Sequence, residues 1–294
     1  MKVLNFGSLN VDLVYQMDHI IRGGETFTAD RLDKHPGGKG LNQSVALARA
    51  GACVYHAGNV GPDGELLTAT LQASGVNTDL IRVLDMPSGH AVIQVDRSGE
   101  NSIILFSGAN RAVDEGQIDA VLAHFDRGDY LILQNEINCL ESIIRKAYEK
   151  GLQIVLNPSP MDQRIGKLPL EKISLFMLNE IEGNVLTGET EPDAILDGMA
   201  RRFPGAKVVL TLGSRGSVYM DGDLRIRQDI YRVTAVDTTA AGDTFTGYFI
   251  SALLRDMSPA QALDVAAKAS AIAVSREGAA PSIPDWEFVR QARL

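Results

Sequence analysis

Residues 237–247, DTTAAGDTFTG, place two aspartates around a run of small residues. Apolar residues recur at helical spacing from Phe245 onward, which predicts that a helix begins near Ala241 or Gly242. The N–H groups of a first helical turn have no partner within the helix, and they attract negative charge. Small residues would let a phosphoryl group approach them, and Asp243 could accept a proton from an attacking hydroxyl. The segment favours phosphoryl transfer over an aspartate that only caps a helix.

A second glycine-rich segment occupies residues 36–51, PGGKGLNQSVALARAG. It is not a Walker A loop, because Gly40 stands where that loop needs Ser or Thr after its lysine and the required glycine upstream of Gly38 is missing. One interpretation is a polyol site, in which bare backbone approaches a ligand and Asn42 both donates and accepts hydrogen bonds. The other is a tight loop before a packed helix, and the segment alone leaves both open.

Three further segments place polar residues just after strand-like runs. Asn10 and Asp12 follow the first run, Asn179 and Glu182 follow a later one, and a Gly/Ser turn lies within residues 209–217. Ligands of open α/β sheets bind beyond the carboxyl ends of the strands, so these residues could meet there. Paired carboxylate and amide groups suit vicinal sugar hydroxyls, and a Gly/Ser turn can hold phosphate oxygens. Each segment is equally compatible with an ordinary solvated loop.

The composition fits a globular protein of 294 residues, 45% hydrophobic and 22% charged. A net charge of −9 argues against general affinity for nucleic acid or anionic membranes. Cys53 and Cys139 are expected to be buried thiols in a reducing cytosol, and the five scattered histidines predict no zinc site. With neither a signal peptide nor a transmembrane segment apparent, a soluble cytoplasmic protein is expected.

Short apolar runs alternate with helix-length segments along most of the chain. This pattern predicts a single α/β domain over residues 1–294, with a mainly parallel sheet between two helical layers. Residues 90–107 read instead as a hairpin, and residues 25–35 alternate weakly without helix signals. We therefore expect a small β-sheet lid, inserted from about 10–36 and about 88–108.

Taken together, these segments resemble the ribokinase family, the phosphofructokinase-B type of carbohydrate kinase, in order along nearly the whole chain. The similar motifs are GSLNVD, GGET at 23–26, GGKGLNQSVALARAG, GAN at 108–110, NPSP at 157–160, NEIE at 179–182, TLGSRG at 211–216, DTTAAGDTF and AIAVSREGAAPS at 271–282. The resemblance implies a three-layer α/β/α fold with a β-sheet lid. It also implies ATP-dependent phosphorylation of a sugar, with the 5-hydroxyl of D-ribose as the expected acceptor.

The site residues that the resemblance implies fall into four groups. Asp243 would be the catalytic base, and Ala240, Ala241 and Gly242 would form the anion hole for the γ-phosphate. The sugar would contact Asn10, Asp12, Gly38, Lys39, Asn42, Glu136 and Asp243. ATP would contact Asn179, Glu182, Thr211, Gly213, Ser214, Gly216 and Gly242. A monovalent-cation loop would comprise Asp237, Thr239, Ala273, Arg276, Gly278 and Ser282.

The same resemblance implies the cofactors and partners. ATP would bind with Mg²⁺, which Glu182 would organise through water, and K⁺ would order the anion hole. The expected partners are a small sugar and a second copy of the chain, docked through the lid sheets.

Three alternatives remain at this point. The acceptor could be deoxyribose, fructose, a keto-deoxy sugar acid or a nucleoside. The chain could bind sugars without catalysis on the same scaffold, although the catalytic aspartate and the anion hole are both present. A dinucleotide-dependent oxidoreductase would need G-x-G-x-x-G after a strand, and the turn at residues 7–10 lacks it.

Overall fold

The computed structural model describes all 294 residues. Its strands are β1 (Val3–Phe6), β2 (Asn10–Gln16), β3 (Arg31–Gly37), β4 (Val54–Val60), β5 (Asn77–Val83), β6 (Gly89–Val95), β7 (Asn101–Phe106), β8 (Tyr130–Gln134), β9 (Gln153–Asn157), β10 (Leu175–Asn179), β11 (Lys207–Thr211), β12 (Ser217–Asp221) and β13 (Leu224–Gln228). Its α-helices are α1 (Lys39–Arg49), α2 (Glu65–Ala73), α3 (Glu115–Leu122), α4 (Leu140–Lys150), α5 (Glu180–Thr187), α6 (Pro192–Arg202), α7 (Ala241–Leu254), α8 (Pro259–Val274) and α9 (Trp286–Gln291).

Nine strands form the main sheet, in the order β13-β12-β11-β10-β9-β8-β1-β4-β5. The seven strands from β11 to β5 pair in parallel, whereas β12 and β13 are antiparallel. The prediction of a mainly parallel sheet is therefore confirmed.

Two hydrophobic cores lie on opposite faces of this sheet, because successive side chains of a strand point to opposite sides. On β9, Val155 belongs to one core, while Ile154 and Leu156 belong to the other. The first core packs against α1, α2, α7, α8 and α9, and the second against α3 to α6. The apolar runs read from the sequence thus give the predicted three layers.

A second sheet has the order β3-β2-β6-β7. Strand β2 lies antiparallel to β3 and parallel to β6. Strands β6 and β7 form an antiparallel hairpin. Residues 7–9 alone join β1 to β2, and Gly38 alone separates β3 from α1. Gly38 has a φ of +92°, a conformation that favours glycine. The second sheet is therefore joined to the main domain by two very short connections.

The expectation of two buried thiols is wrong. Cys53 is exposed and Cys139 is partly exposed. Cys53 lies in the turn that links α1 to β4, where the chain runs along the surface, so its apolar neighbours in sequence do not bury it. None of the helices has both the length and the apolar character that a membrane span requires.

Candidate active site

The carboxyl ends of β1 and β8 lie side by side where the strand order reverses. From β1 the chain proceeds to β4 and β5 on one side, whereas β8 to β11 lie on the other. At this edge, the Ser8 hydroxyl donates to Oε2 of Glu136, and the backbone N–H of Lys39 donates to the same oxygen at 3.0 Å. Such a reversal is where open α/β sheets bind ligands.

The N-terminus of α7 also faces this edge. The helix begins at Ala241, as its sequence predicts, and no side chain caps it. The backbone N–H groups of Gly242 and Asp243 donate to no protein acceptor. A Cβ added to Gly242 would meet no atom within 4 Å. The fold itself does not demand glycine here. Of the residues predicted for the anion hole, Ala241 already donates its N–H to the carbonyl of Thr238 at 3.2 Å, so the bare amides with open space before them are those of Gly242 and Asp243.

The Asp243 carboxylate is buried and lies between α7 and α1. Asn42 Nδ2 donates to its Oδ2 at 3.1 Å, and Gln43 Nε2 donates to its Oδ1 at 2.9 Å. The two helices approach so closely that a Cβ on Gly247 would lie only 2.4 Å from the Cβ of Ala46, and glycine at position 247 allows this approach. Burial raises the pKa of Asp243, while Lys39 and the two amide donors oppose that rise.

Lys39 supplies the positive charge among the side chains of the site. Burial lowers its pKa, but the nearby carboxylates of Asp243, Glu136 and Glu182 outweigh burial and give a net increase. Burial raises the pKa of Glu136 and of Glu182, and Lys39 opposes both shifts. Lys39 therefore stays protonated and offsets charge among three carboxylates.

The predicted sugar contacts converge on this edge from two sheets. Asn10 Oδ1 accepts a hydrogen bond from Asn110 Nδ2 at 2.8 Å, which fixes the direction of its amide. Burial, with a smaller contribution from Glu136, raises the pKa of Asp12 to about 6. The buried Oδ1 of Asn42 has no partner in the protein. This set of acceptors suits a ligand rich in hydroxyls.

Two cavities meet at the start of α7. The larger has a volume of about 790 Å³ and lies between the turn after β11 and helices α7 and α8. Its lining includes Thr211, Gly213, Ser214, Gly216, Gly242 and Ala267. The smaller, of about 100 Å³, is lined by Lys39, Asn179, Glu182, Thr211, Thr239, Gly242 and Asp243, among others. Since Thr211 and Gly242 border both cavities, one elongated ligand could extend from the larger cavity to Asp243.

The residues predicted to contact ATP thus come together, but three of their side chains, those of Asn179, Glu182 and Thr211, already have partners. Asn179 caps α5 in a capping box with Glu182, whose carboxylate accepts from the Asn179 backbone at 2.9 Å. The Thr211 hydroxyl donates to the carbonyl of Leu178 at 3.1 Å. These bonds fix the positions of Glu182 and of the turn after β11.

The predicted cation loop is brought together in part. Asp237 Oδ1 accepts from the Thr239 N–H at 2.9 Å, and its Oδ2 accepts from the Gly278 N–H at 3.0 Å. Ser282 donates to the carbonyl of Ala279 at 2.8 Å rather than to Asp237. The Arg276 guanidinium lies over the Phe288 ring, 4.5 Å from its centroid, and Ala273 is buried near the end of α8. Asp237 therefore joins the segment before α7 to the one after α8.

Sequence reasoning assigned no role to several polar residues that support the site. Gln43 bonds to Asp243, Asn110 bonds to Asn10, and Ser8 bonds to Glu136. Gln43 and Asn110 lie within the GGKGLNQ and GAN motifs. The place of Gln43 and Asn110 within these two motifs was the signal available.

Comparisons with known proteins agree with this geometry. The model of the pfkB family carbohydrate kinases matches residues 1–286. The chain is 36% identical over 288 residues to a ribokinase of Haemophilus influenzae, a match that covers 95% of this chain and 94% of that protein. The structure of Arabidopsis thaliana ribokinase complexed with ribose and ATP aligns with a TM-score of 0.89 and 31% identity, over 99% of this chain and 97% of that one. A Cryptococcus neoformans ribokinase in complex with ADP aligns with a TM-score of 0.87 and 32% identity, over 99% of each chain. The predicted resemblance is confirmed, and the chain belongs to the pfkB family of carbohydrate kinases.

Proposed function

We propose that this protein transfers the γ-phosphoryl group of ATP to the 5-hydroxyl of D-ribose. The observation that carries the proposal is the buried Asp243 carboxylate, which stands beside bare helix amides at the junction of the two cavities. The similarity to ribokinases along the whole chain supports ribose as the acceptor.

In this reaction the ribose hydroxyl oxygen attacks the γ-phosphorus as its proton passes to Asp243. The bond between the γ-phosphorus and the β,γ-bridging oxygen breaks, and ADP leaves with that electron pair. The Gly242 and Asp243 amides, with Lys39, offset the charge on the transferred group. Asp243 must be ionised to accept the proton, and the donors Asn42 and Gln43 favour that form.

Glu182 and its neighbours fit Mg²⁺ bound mainly through water and phosphate oxygens. Glu182 supplies a carboxylate in the smaller cavity, and Asn157 and Asn179 line the same space. Mg²⁺ commonly binds through one or two carboxylates together with nucleotide phosphates. When bound, the ion would neutralise charge on the β- and γ-phosphates.

The loops joined by Asp237 fit K⁺ better than a divalent ion. They offer one carboxylate and backbone carbonyls, and no group of three or more Asp, Glu, His or Cys side chains in the structure is arranged to hold a metal ion. Asp237 lies on the segment that leads into α7, so a cation bound there would order the anion hole.

A coupled assay of ADP release over a panel of acceptors tests the proposed function. D-ribose should give the highest kcat/KM among ribose, deoxyribose, fructose, a keto-deoxy sugar acid and a nucleoside. Replacing tetramethylammonium by K⁺ should raise the rate. Preference for fructose or a nucleoside would refute the ribose assignment, and indifference to K⁺ would refute the cation site.

The second sheet is proposed to close over the sugar as a lid, since β2 carries both Asn10 and Asp12. Ionised Asp12 accepts hydrogen bonds from hydroxyls, and its pKa is raised to about 6. The KM for ribose should therefore increase as the pH falls below about 6. Asp12→Asn should raise that KM about tenfold at pH 8, through loss of a charge-assisted hydrogen bond. It should also remove this pH dependence. An unchanged KM in Asp12→Asn would show that Asp12 does not bind the sugar.

Two copies of the chain are proposed to dimerise through their second sheets. Four successive residues of β7, Ile103 to Phe106, are each 48–62% exposed, an apolar run that a partner would cover. Ile104→Glu should shift the protein to monomers in sedimentation velocity. Val83→Glu, at a similarly exposed site on β5, serves as the control. A dimer that persists in Ile104→Glu would place the interface elsewhere.

A further inference from the structure

A chain of buried amides lies behind Asp243, and its members Gln43, Gln134 and Asn5 do not themselves line the two ligand cavities. Gln43 is fully buried, and while its Nε2 donates to Asp243, its Oε1 accepts from Gln134 Nε2 at 2.7 Å. Gln134 Nε2 also donates to Asn5 Oδ1 at 3.1 Å. Asn5 Nδ2 in turn donates to the carbonyl of Gly40 at 2.8 Å.

The Gly40 carbonyl fixes the direction of every bond in this chain, because a carbonyl oxygen can only accept. Asn5 must point its amide nitrogen at Gly40, which leaves its oxygen to accept from Gln134. Gln134 then points its nitrogen at Gln43, so Gln43 can present only its own nitrogen to Asp243. A reversed Gln43 would place its amide oxygen against the carboxylate.

The end of the amide chain that is farthest from Asp243 contacts only uncharged side chains. Asn5 Nδ2 also donates to the Ser44 hydroxyl at 2.9 Å. The oxygen of that hydroxyl lies 2.8 Å from Nδ1 of His56. Burial lowers the pKa of His56 to about 3, although a hydrogen bond with Gly7 opposes this. His56 is therefore neutral at any pH where the protein works, and protonation does not alter the chain.

We propose that Gln43 is a positioning residue, which the amide chain through Gln134 and Asn5 orients so that Asp243 is held ionised and aimed at the acceptor hydroxyl. This inference rests on the proposed role of Asp243 as the base. Gln43 is fully buried, so it acts on substrate only through the groups that it bonds, which are Asp243 at 2.9 Å and, more weakly, Asn157 Oδ1 at 3.4 Å. Asn42 differs from it, because the buried Oδ1 of Asn42 has no partner in the protein.

A change at Gln43 should alter the pH profile in a defined direction. The charged groups around Asp243 are Lys39, Glu136 and Glu182, and they stay in place when Gln43 is replaced. Burial already raises the pKa of Asp243, and the Gln43 hydrogen bond lowers it. Loss of that bond raises the pKa further, so the acid limb of activity moves to higher pH.

The experiment measures kcat/KM for ribose from pH 5 to 9 at saturating ATP. Gln43→Leu should move the acid limb upward by about one pH unit and lower the plateau by about 10- to 100-fold. Gln134→Leu should change both in the same direction by less. Gln117→Leu is the matched control: it also removes a buried glutamine, one bonded to Asn59, and should leave the limb and plateau as in the wild type.

Titration of the Asp243 side chain by ¹³C NMR in the unliganded protein gives the same comparison without turnover. Asp243→Asn identifies its resonance. A higher Asp243 pKa in Gln43→Leu than in the wild type supports the proposal even if the acceptor is not ribose. An Asp243 pKa and an acid limb that both match the wild type would overturn it, whatever happens to the plateau. A wild type that phosphorylates no sugar would refute the proposed function, while the NMR shift would still decide the role of Gln43.

Discussion

Asp243→Asn should lower kcat for ribose phosphorylation by about 10²–10⁴-fold, the range expected when a general base is removed. The amide has the shape of the carboxylate but cannot take the hydroxyl proton. It would also turn an N–H group toward Asn42 or Gln43, which now donate to the carboxylate. Binding of ribose and ATP should change far less than kcat. A coupled ADP-release assay gives kcat and both KM values.

Asp119→Asn is the control for this substitution. Asp119 lies on the exposed side of α3, where it pairs with Lys146 at the surface. Such pairs contribute little to stability, so its activity should match the wild type. Thermal unfolding of both variants checks that they fold. Near-normal turnover by folded Asp243→Asn would rule out Asp243 as the base. Loss of turnover with sugar binding intact would separate catalysis from binding and exclude a purely sugar-binding role.

Gly242→Val should lower kcat/KM for ATP by about 10²–10³-fold, comparable to the loss of an oxyanion-hole donor. Its side chain would project into the space before the bare amides of α7, where the γ-phosphate is expected. The variant should fold normally, because a Cβ at this position meets no atom within 4 Å. Val is also no worse a helix former than Gly. Gly242→Ala should give a smaller loss, since a methyl group obstructs less of the space.

Gly205→Val tests whether the loss is specific to the phosphate site. A Cβ added to Gly205 would likewise meet no atom within 4 Å, and this residue lies before β11, outside both cavities. The variant should keep wild-type kinetics. Steady-state kinetics with varied ATP, together with melting temperatures, complete the comparison. If folded Gly242→Val binds and turns over ATP normally, the anion hole is not where we place it. If it unfolds, Gly242→Ala carries the same comparison.

The sequence was most informative where chemistry and local structure coincide. The apolar spacing from Phe245 onward predicted the start of α7, and the small residues before Asp243 predicted its bare amides. Both features depend on residues that are close in sequence. The apolar runs predicted the main sheet for the same reason. A strand that is buried on both faces is visible as a continuous apolar run, without knowledge of which residues it contacts. The hairpin of β6 and β7 was equally visible as two runs around a polar turn.

The remainder depends on contacts between residues far apart in sequence. Gln43 is 200 positions from Asp243 and meets it only because α1 packs closely on α7. The exposure of Cys53 depends on the path of a turn, which the apolar character of its neighbours did not reveal. The bond between Ser8 and Glu136 arises because β1 and β8 are adjacent in the sheet, although more than 100 residues separate them.

The single residue between β3 and α1 has a mechanical consequence. Gly38 alone separates β3 from α1, so a rotation of the second sheet in the proposed lid closure would pull directly on the helix that carries Asn42 and Gln43. The arrival of the sugar under that lid and the final placement of the helix beside the proton acceptor would then be one movement, not two.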